Sequence, residues 1–112
     1  MKRHPSAFTL IEVMIVVLII GLLATIAVPA FARARARART NVCINNLRQI
    51  LSAIEQWAME ENANDGDAAD GADYTAIRGG FPVCPAGGEY GNLIVGNDPT
   101  CDQPRHILPP FD

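Results

Sequence analysis

The sequence predicts an α+β chain: one long N-terminal helix carrying a small C-terminal β hairpin or sheet. Three observations predict it. Residues 13–32 are twenty consecutive residues without a charge. Residues 43–58 place apolar side chains at the spacing of a helix. The chain beyond residue 62 is rich in Gly, Pro and Asp and holds only short strand patterns.

Size and charge narrow the classes. At 112 residues the chain holds one small domain at most. Much of its 49% hydrophobic content lies in the N-terminal run. The polar remainder, roughly 75–80 residues, can bury only a modest core, so staples or partners are expected. Net charge is −3, with eleven acids after Thr40 against Arg48, Arg78 and Arg105. That balance lacks the basic footprint of a nucleic-acid binder.

The apolar run is long enough to cross a bilayer as a helix. Val13, Ile15, Val16, Val17, Ile19 and Ile20 are β-branched and poor for a helix in water. In hydrocarbon, internal hydrogen bonding imposes the helix anyway. Lys2 and Arg3 favour a cytoplasmic N-terminus. Arg33, Arg35, Arg37 and Arg39 then fall on the far side, against the positive-inside tendency, which a dedicated signal at the chain start can override.

Three readings of this segment compete. A secretory signal peptide would be cut at Ala30-Phe31-Ala32, a small-x-small site, and would release a secreted binding module. A plain signal anchor explains the length. Neither explains Glu12, a charge at the start of hydrocarbon. The segment Ala7-Phe8-Thr9-Leu10-Ile11-Glu12-Val13 behind a short basic leader resembles the processing site of type IV prepilins and type II secretion pseudopilins. Gly21 and Pro29 also fall where that family has a helix glycine and a helix proline. The likeness covers residues 1–31. One departure is Ala7, where the family usually has Gly; Ala is nearest in size, so processing is expected to survive.

The resemblance implies a pilin-like lollipop with a leader at 1–7, an assembly helix at 8–32, an amphipathic helix at 33–61 and a stapled β region at 62–112. It implies cleavage between Ala7 and Phe8 by prepilin peptidase, and N-methylation of Phe8. It implies that Glu12 pairs with the Phe8 amine of a neighbouring subunit, two groups unfavourable alone in lipid becoming tolerable together. The alternative is a Glu12 that snorkels to the headgroups. Pro29 removes a backbone donor, so a kink or loosening is expected there. The implied function is structural, with no catalytic residues: a filament subunit anchored in the bacterial inner membrane, its C-terminal part periplasmic. Its implied partners are its own copies, other pseudopilins, the peptidase and an inner-membrane assembly platform. A secretion pseudopilin is the first choice; a type IV pilin or a competence pseudopilin for DNA uptake is the alternative.

Arg33 to Arg39 alternate with Ala, and both residues favour helix. Arg33 and Arg37 share one stripe, Arg35 and Arg39 a nearly opposite one, so no single basic face forms. A charged collar against headgroups is expected. In the next segment Ile44, Leu47, Leu51, Ile54 and Ala58 form an apolar stripe that Cys43, Ile50 and Trp57 widen. Only the C-terminal part can cover it. A helix from Phe8 to about Glu61 would be about 80 Å long.

Residues 62–73 read as a solvated acidic loop. Asp65, Asp67, Asp70 and Asp73 are weak calcium candidates, since hard cations take several oxygens, but the EF-hand order is missing. Strands are expected at Glu89 to Val95 and at Arg105 to Leu108, limited by Pro82, Pro85, Pro104, Pro109 and Pro110.

Cys43, Cys84 and Cys101 allow three single disulfides in an oxidising compartment. Cys84–Cys101 is the preferred pair, worth about 3 kcal/mol in the chain-entropy picture, with Cys43 as the rival partner. Zinc would need four ligands. The mature chain offers only these cysteines and His106, His4 leaving with the leader, and no metal site or cofactor is expected. The order Cys-Pro-Ala-Gly-Gly-x-Tyr … Pro-Thr-Cys with a later His-x-Leu-Pro resembles the C-terminal module of certain short prepilin-type proteins, which does not assign the pairing.

Overall fold

The computed structural model describes residues 5–70 and 80–110. The element order is α1 (Leu10–Glu61), β1 (Tyr90–Gly91) and β2 (Thr100–Cys101). The chain divides into two compact units, Met1–Arg35 and Ala36–Asp112.

In the first unit the helix begins with a reciprocal cap. The Thr9 amide donates to Glu12 Oε2 at 3.0 Å, and the Glu12 amide donates to Thr9 Oγ1 at 3.4 Å. Two N-terminal amides without helical partners are thereby satisfied. Pro29 lies inside α1, and the helix continues through it, so the expected loosening does not break the element. The apolar run is bare: Leu18, Leu22, Ile26 and Val28 are each more than 60% exposed. It is long and apolar enough to cross a membrane, and none of it is buried within the chain.

The second unit is built on the other half of α1. Its buried line is Cys43, Leu47, Ile50 and Ile54. The sequence stripe placed Leu51 and Ala58 at its centre with Cys43 and Ile50 at its margin. The structure turns the helix so that the margin becomes the centre, leaving Ile44, Leu51, Trp57 and Ala58 half-buried. Ile50 and Ile54 pack with Ala69 and Val95, and Trp57, Tyr90 and Leu93 close around them. The polar side holds as expected: Asn45, Arg48, Gln49, Ser52, Glu55 and Gln56 are exposed.

The helix ends where the sequence changes character. Asn62 adopts φ 53°, and the Ala63 amide reaches back to the Ala58 carbonyl at 2.9 Å. This is a Schellman termination with asparagine in the left-handed position. The acidic segment that follows is not simply a solvated loop. The Gly66 and Ala69 amides donate to the Val95 and Leu93 carbonyls, and the Val95 amide donates to the Asp67 carbonyl, around an Ala68–Ile94 bridge.

β1 and β2 pair antiparallel, Tyr90 opposite Cys101 and Gly91 opposite Thr100. The first strand falls within the expected Glu89–Val95 span, shortened by Asn92, which turns to φ 59°. The second does not lie at Arg105–Leu108. Arg105 has φ 68°, and the His106 amide bonds the Gln103 carbonyl in a turn, so that segment cannot extend a ladder. The partner strand is upstream, at Thr100–Cys101, between Pro99 and Pro104.

Candidate functional site

Two groups of residues carry chemistry, one in each unit. In the first, residues 5–9 are non-helical and exposed, so the Ala7–Phe8 bond lies just ahead of α1. Phe8 is 89% exposed, and with Glu12, Val13, Val16 and Val17 it lines a shallow apolar groove. The Glu12 carboxylate uses Oε2 for the Thr9 amide. A carboxylate has a second oxygen with its own lone pairs, so the cap leaves acceptor capacity for a cation. The capping role was missed in the sequence reading, although Thr-x-x-Glu ahead of an apolar run is its signature. A Cβ on Gly21 would meet nothing within 4 Å, so no contact inside the chain demands glycine there.

The second unit gathers the residues that the sequence scatters most widely. The ligating atoms of Cys43, Cys84, Cys101 and His106 all lie within 4.8 Å of one another. Cys43 comes from α1, Cys84 from the loop before β1, Cys101 from β2 and His106 from the turn after it. In place of the expected Cys84–Cys101 bridge, or its Cys43 rival, all three cysteines are free. His106 Nδ1 stands 3.4 Å from Cys84 Sγ and 4.0 Å from Cys101 Sγ. At 5% exposure it is the one buried polar side chain among the described residues.

Each group in the cluster is held from outside. Thr40 Oγ1 donates to the Ala36 carbonyl at 3.2 Å and lies 3.3 Å from His106 Nε2. With its proton committed to Ala36, that hydroxyl oxygen can accept from His106 when Nε2 carries the ring proton. In that tautomer Nδ1 turns a lone pair to the sulfurs; in the other it donates to them. Burial pushes the Cys84 thiol up, but the Ala86 and Gly88 amides, with Cys43 and His106, outweigh it and bring it down to about 7. The turn that aims those amides is closed by the Gly87 amide on the Cys84 carbonyl at 3.0 Å, with Gly87 at φ 81°. Burial pushes Cys43 up to about 12; the Tyr90 hydroxyl opposes, and the other two cysteines add to the rise. Burial likewise raises Tyr90, whose hydroxyl also accepts from Asn46 Nδ2 at 3.0 Å. Gly88 is closely confined, because a Cβ there would lie 2.7 Å from Cys101 Sγ.

The other sequence candidates do not converge. Asp67 Oδ2 accepts from the Asn64 amide at 2.8 Å, and the Asp65 carboxylate sits where a Gly96 side chain would go. Asp65, Asp67 and Asp70 form no metal-holding group among the described residues; Asp73 lies outside them. Arg33, Arg35, Arg37 and Arg39 are all exposed.

Comparison with known proteins follows the N-terminal geometry. The prokaryotic N-terminal methylation motif matches residues 2–28. The chain is 33% identical over 115 residues to the type IV major fimbrial protein FimA of Dichelobacter nodosus, covering 85% of this chain and 72% of that protein. It is 38% identical over 85 residues to the type IV major pilin protein PilA of Myxococcus xanthus, covering 73% and 38%. It is 34% identical over 62 residues to the type II secretion system core protein G of Pseudomonas aeruginosa, covering 55% and 44%. No solved structure matches. A methylation-type N-terminus leading into one bare apolar helix, together with a FimA match spanning most of both sequences, places this chain in the type IV pilin and pseudopilin family.

Proposed function

We propose that the chain is a structural subunit of a pilus-like filament, cut between Ala7 and Phe8, methylated on Phe8 and assembled through its N-terminal helix. The observation that carries this reading is the exposed apolar first half of α1, whose one acid, Glu12, sits in the first turn. Before assembly, lipid of the inner membrane covers that surface. In the filament, the helices of neighbouring subunits replace lipid, and Glu12 meets the cationic Phe8 amine of the next copy. The pair fixes axial register, because each charge is costly in hydrocarbon until it finds the other. Gly21 then serves close approach between helices, as small residues do in membranes. The prepilin peptidase and an inner-membrane assembly platform are the partners this route needs, and the subunit itself catalyses nothing.

The sequence alone favoured a secretion pseudopilus. A type IV pilus is the alternative, and relatives of both kinds match: FimA sequences align with 85% and 93% of this chain, core protein G with 55%. Intact mass of the mature protein tests the shared route. A chain starting at Phe8 with one added methyl is expected. A start at Phe31 or Arg33 would mean a cleaved secretory signal and would remove the proposal.

A further inference from the structure

We propose that Cys43, Cys84, Cys101 and His106 form a structural zinc site that fastens the C-terminal segment to the helix. The donor set is three sulfurs and one imidazole nitrogen, which is the complement of a closed tetrahedral zinc site. The geometry is close to what the ion requires. Zinc–sulfur and zinc–nitrogen bonds of about 2.3 and 2.0–2.1 Å set tetrahedral edges of about 3.8 Å between sulfurs and about 3.6 Å from sulfur to nitrogen. The two His106–sulfur distances, 3.4 and 4.0 Å, bracket the second value. No two ligating atoms are more than 4.8 Å apart, so the set exceeds a tetrahedral edge by about 1 Å at most.

The surroundings are those of a metal site rather than of a chance thiol cluster. With Nε2 against the Thr40 hydroxyl, Nδ1 is the ring nitrogen that faces the sulfurs and would donate to the ion. An outer hydrogen bond of this kind almost always accompanies a histidine ligand. The Ala86 and Gly88 amides hydrogen-bond Cys84, and the Tyr90 hydroxyl lies against Cys43, outer partners of the kind that hold metal ligands in place. Binding one Zn²⁺ releases three thiol protons to solvent and moves no electrons, leaving one net negative charge for those three donors to offset. A disulfide is a poorer use of the same atoms. It joins two sulfurs, strands the third and gives His106 no role.

The site also meets a structural need. Ile50, Ile54, Ala69 and Val95 form a small core, and β1 and β2 are two residues each. A metal joining α1, the loop before β1, β2 and the following turn would tie together pieces that the ladder alone does not.

The test uses the full mature chain in detergent, reduced and then titrated with Co²⁺ followed by Zn²⁺. Expected are one Co²⁺ per chain, the strong visible absorption of tetrahedral cobalt with a sulfur-to-metal charge-transfer band, and displacement by one equivalent of Zn²⁺. Cys84→Ser and His106→Ala should lose the tight site. Thr40→Val, a near-isosteric change at a half-buried position, should weaken it about 10–100-fold. The proposal is overturned if the reduced wild-type chain binds no metal more tightly than Cys84→Ser does. It is equally overturned if the bound cobalt is pale and octahedral.

Discussion

The rotation of the second half of α1 can be tested by comparing two adjacent residues. Ile50 is fully buried against Ala69 and Val95, whereas Leu51 is half-buried. Truncating Ile50 to alanine removes three buried carbons. At about 0.8 kcal/mol each, with a cavity contribution added, the cost is about 3–4 kcal/mol. Leu51→Ala removes the same number of carbons from a partly wetted site, and about 1–2 kcal/mol is expected. A unit of this size loses about 4–8 °C of Tm per kcal/mol. Ile50→Ala should therefore lower the melting temperature by about 12–30 °C and Leu51→Ala by about 4–16 °C. Thermal unfolding of the mature protein in detergent, followed by circular dichroism in the same metal state for both variants, reads the difference. The reasoning fails if Leu51→Ala costs as much as Ile50→Ala, because the helix face seated on the core would then be the one centred on Leu51.

Glu12 has two separable roles. Glu12→Gln keeps an oxygen for the Thr9 amide and loses the charge, whereas Glu12→Ala loses both. If charge pairing drives assembly, both variants should be processed normally and form no fibres by electron microscopy; normal fibres from Glu12→Gln would assign the effect to the cap. Gly88→Ala forces a Cβ against Cys101 Sγ and should destabilise the second unit by about 1–3 kcal/mol in denaturant unfolding. Asn46→Ala leaves the Val83 carbonyl and the Tyr90 hydroxyl without their shared donor and should cost about 1–3 kcal/mol by the same measurement. At the helix end, Asn62→Gly should be neutral or stabilising by up to about 1 kcal/mol, whereas Asn62→Ala should be destabilising, because only the former suits a positive φ.

How legible each part was follows from the range of the forces involved. The long helix could be read because lipid-length hydrophobicity and 3.6-residue periodicity are local properties of Val13–Ala32 and Cys43–Ala58. Which of Ile50 and Leu51 faces inward could not, since both lie within the apolar arc and the decision belongs to Ala69 and Val95, which arrive from elsewhere. The second strand was misplaced because Arg105–Leu108 alternates suitably, while the left-handed turn at Arg105 depends on His106 being drawn inward. The four-residue cluster was legible as an inventory but not as a place. Cys43 and His106 meet only after the chain has doubled back along the helix, and no spacing rule covers that distance. The Cys-Pro-x-Gly turn at Cys84 was the local clue, since it aims amides at a sulfur.

The reciprocal bonds between Thr9 and Glu12 also set a boundary. A proteolytic enzyme must draw its substrate out as an extended strand, and a peptide unit already wound into a coil resists that handling. By starting the helix at Leu10, the pair leaves the Ala7–Phe8 linkage outside it and exposed. On the proposed route, the carboxylate that pairs with a neighbouring copy would first keep the target bond unwound, so a substitution at Thr9 is expected to slow maturation without altering that bond.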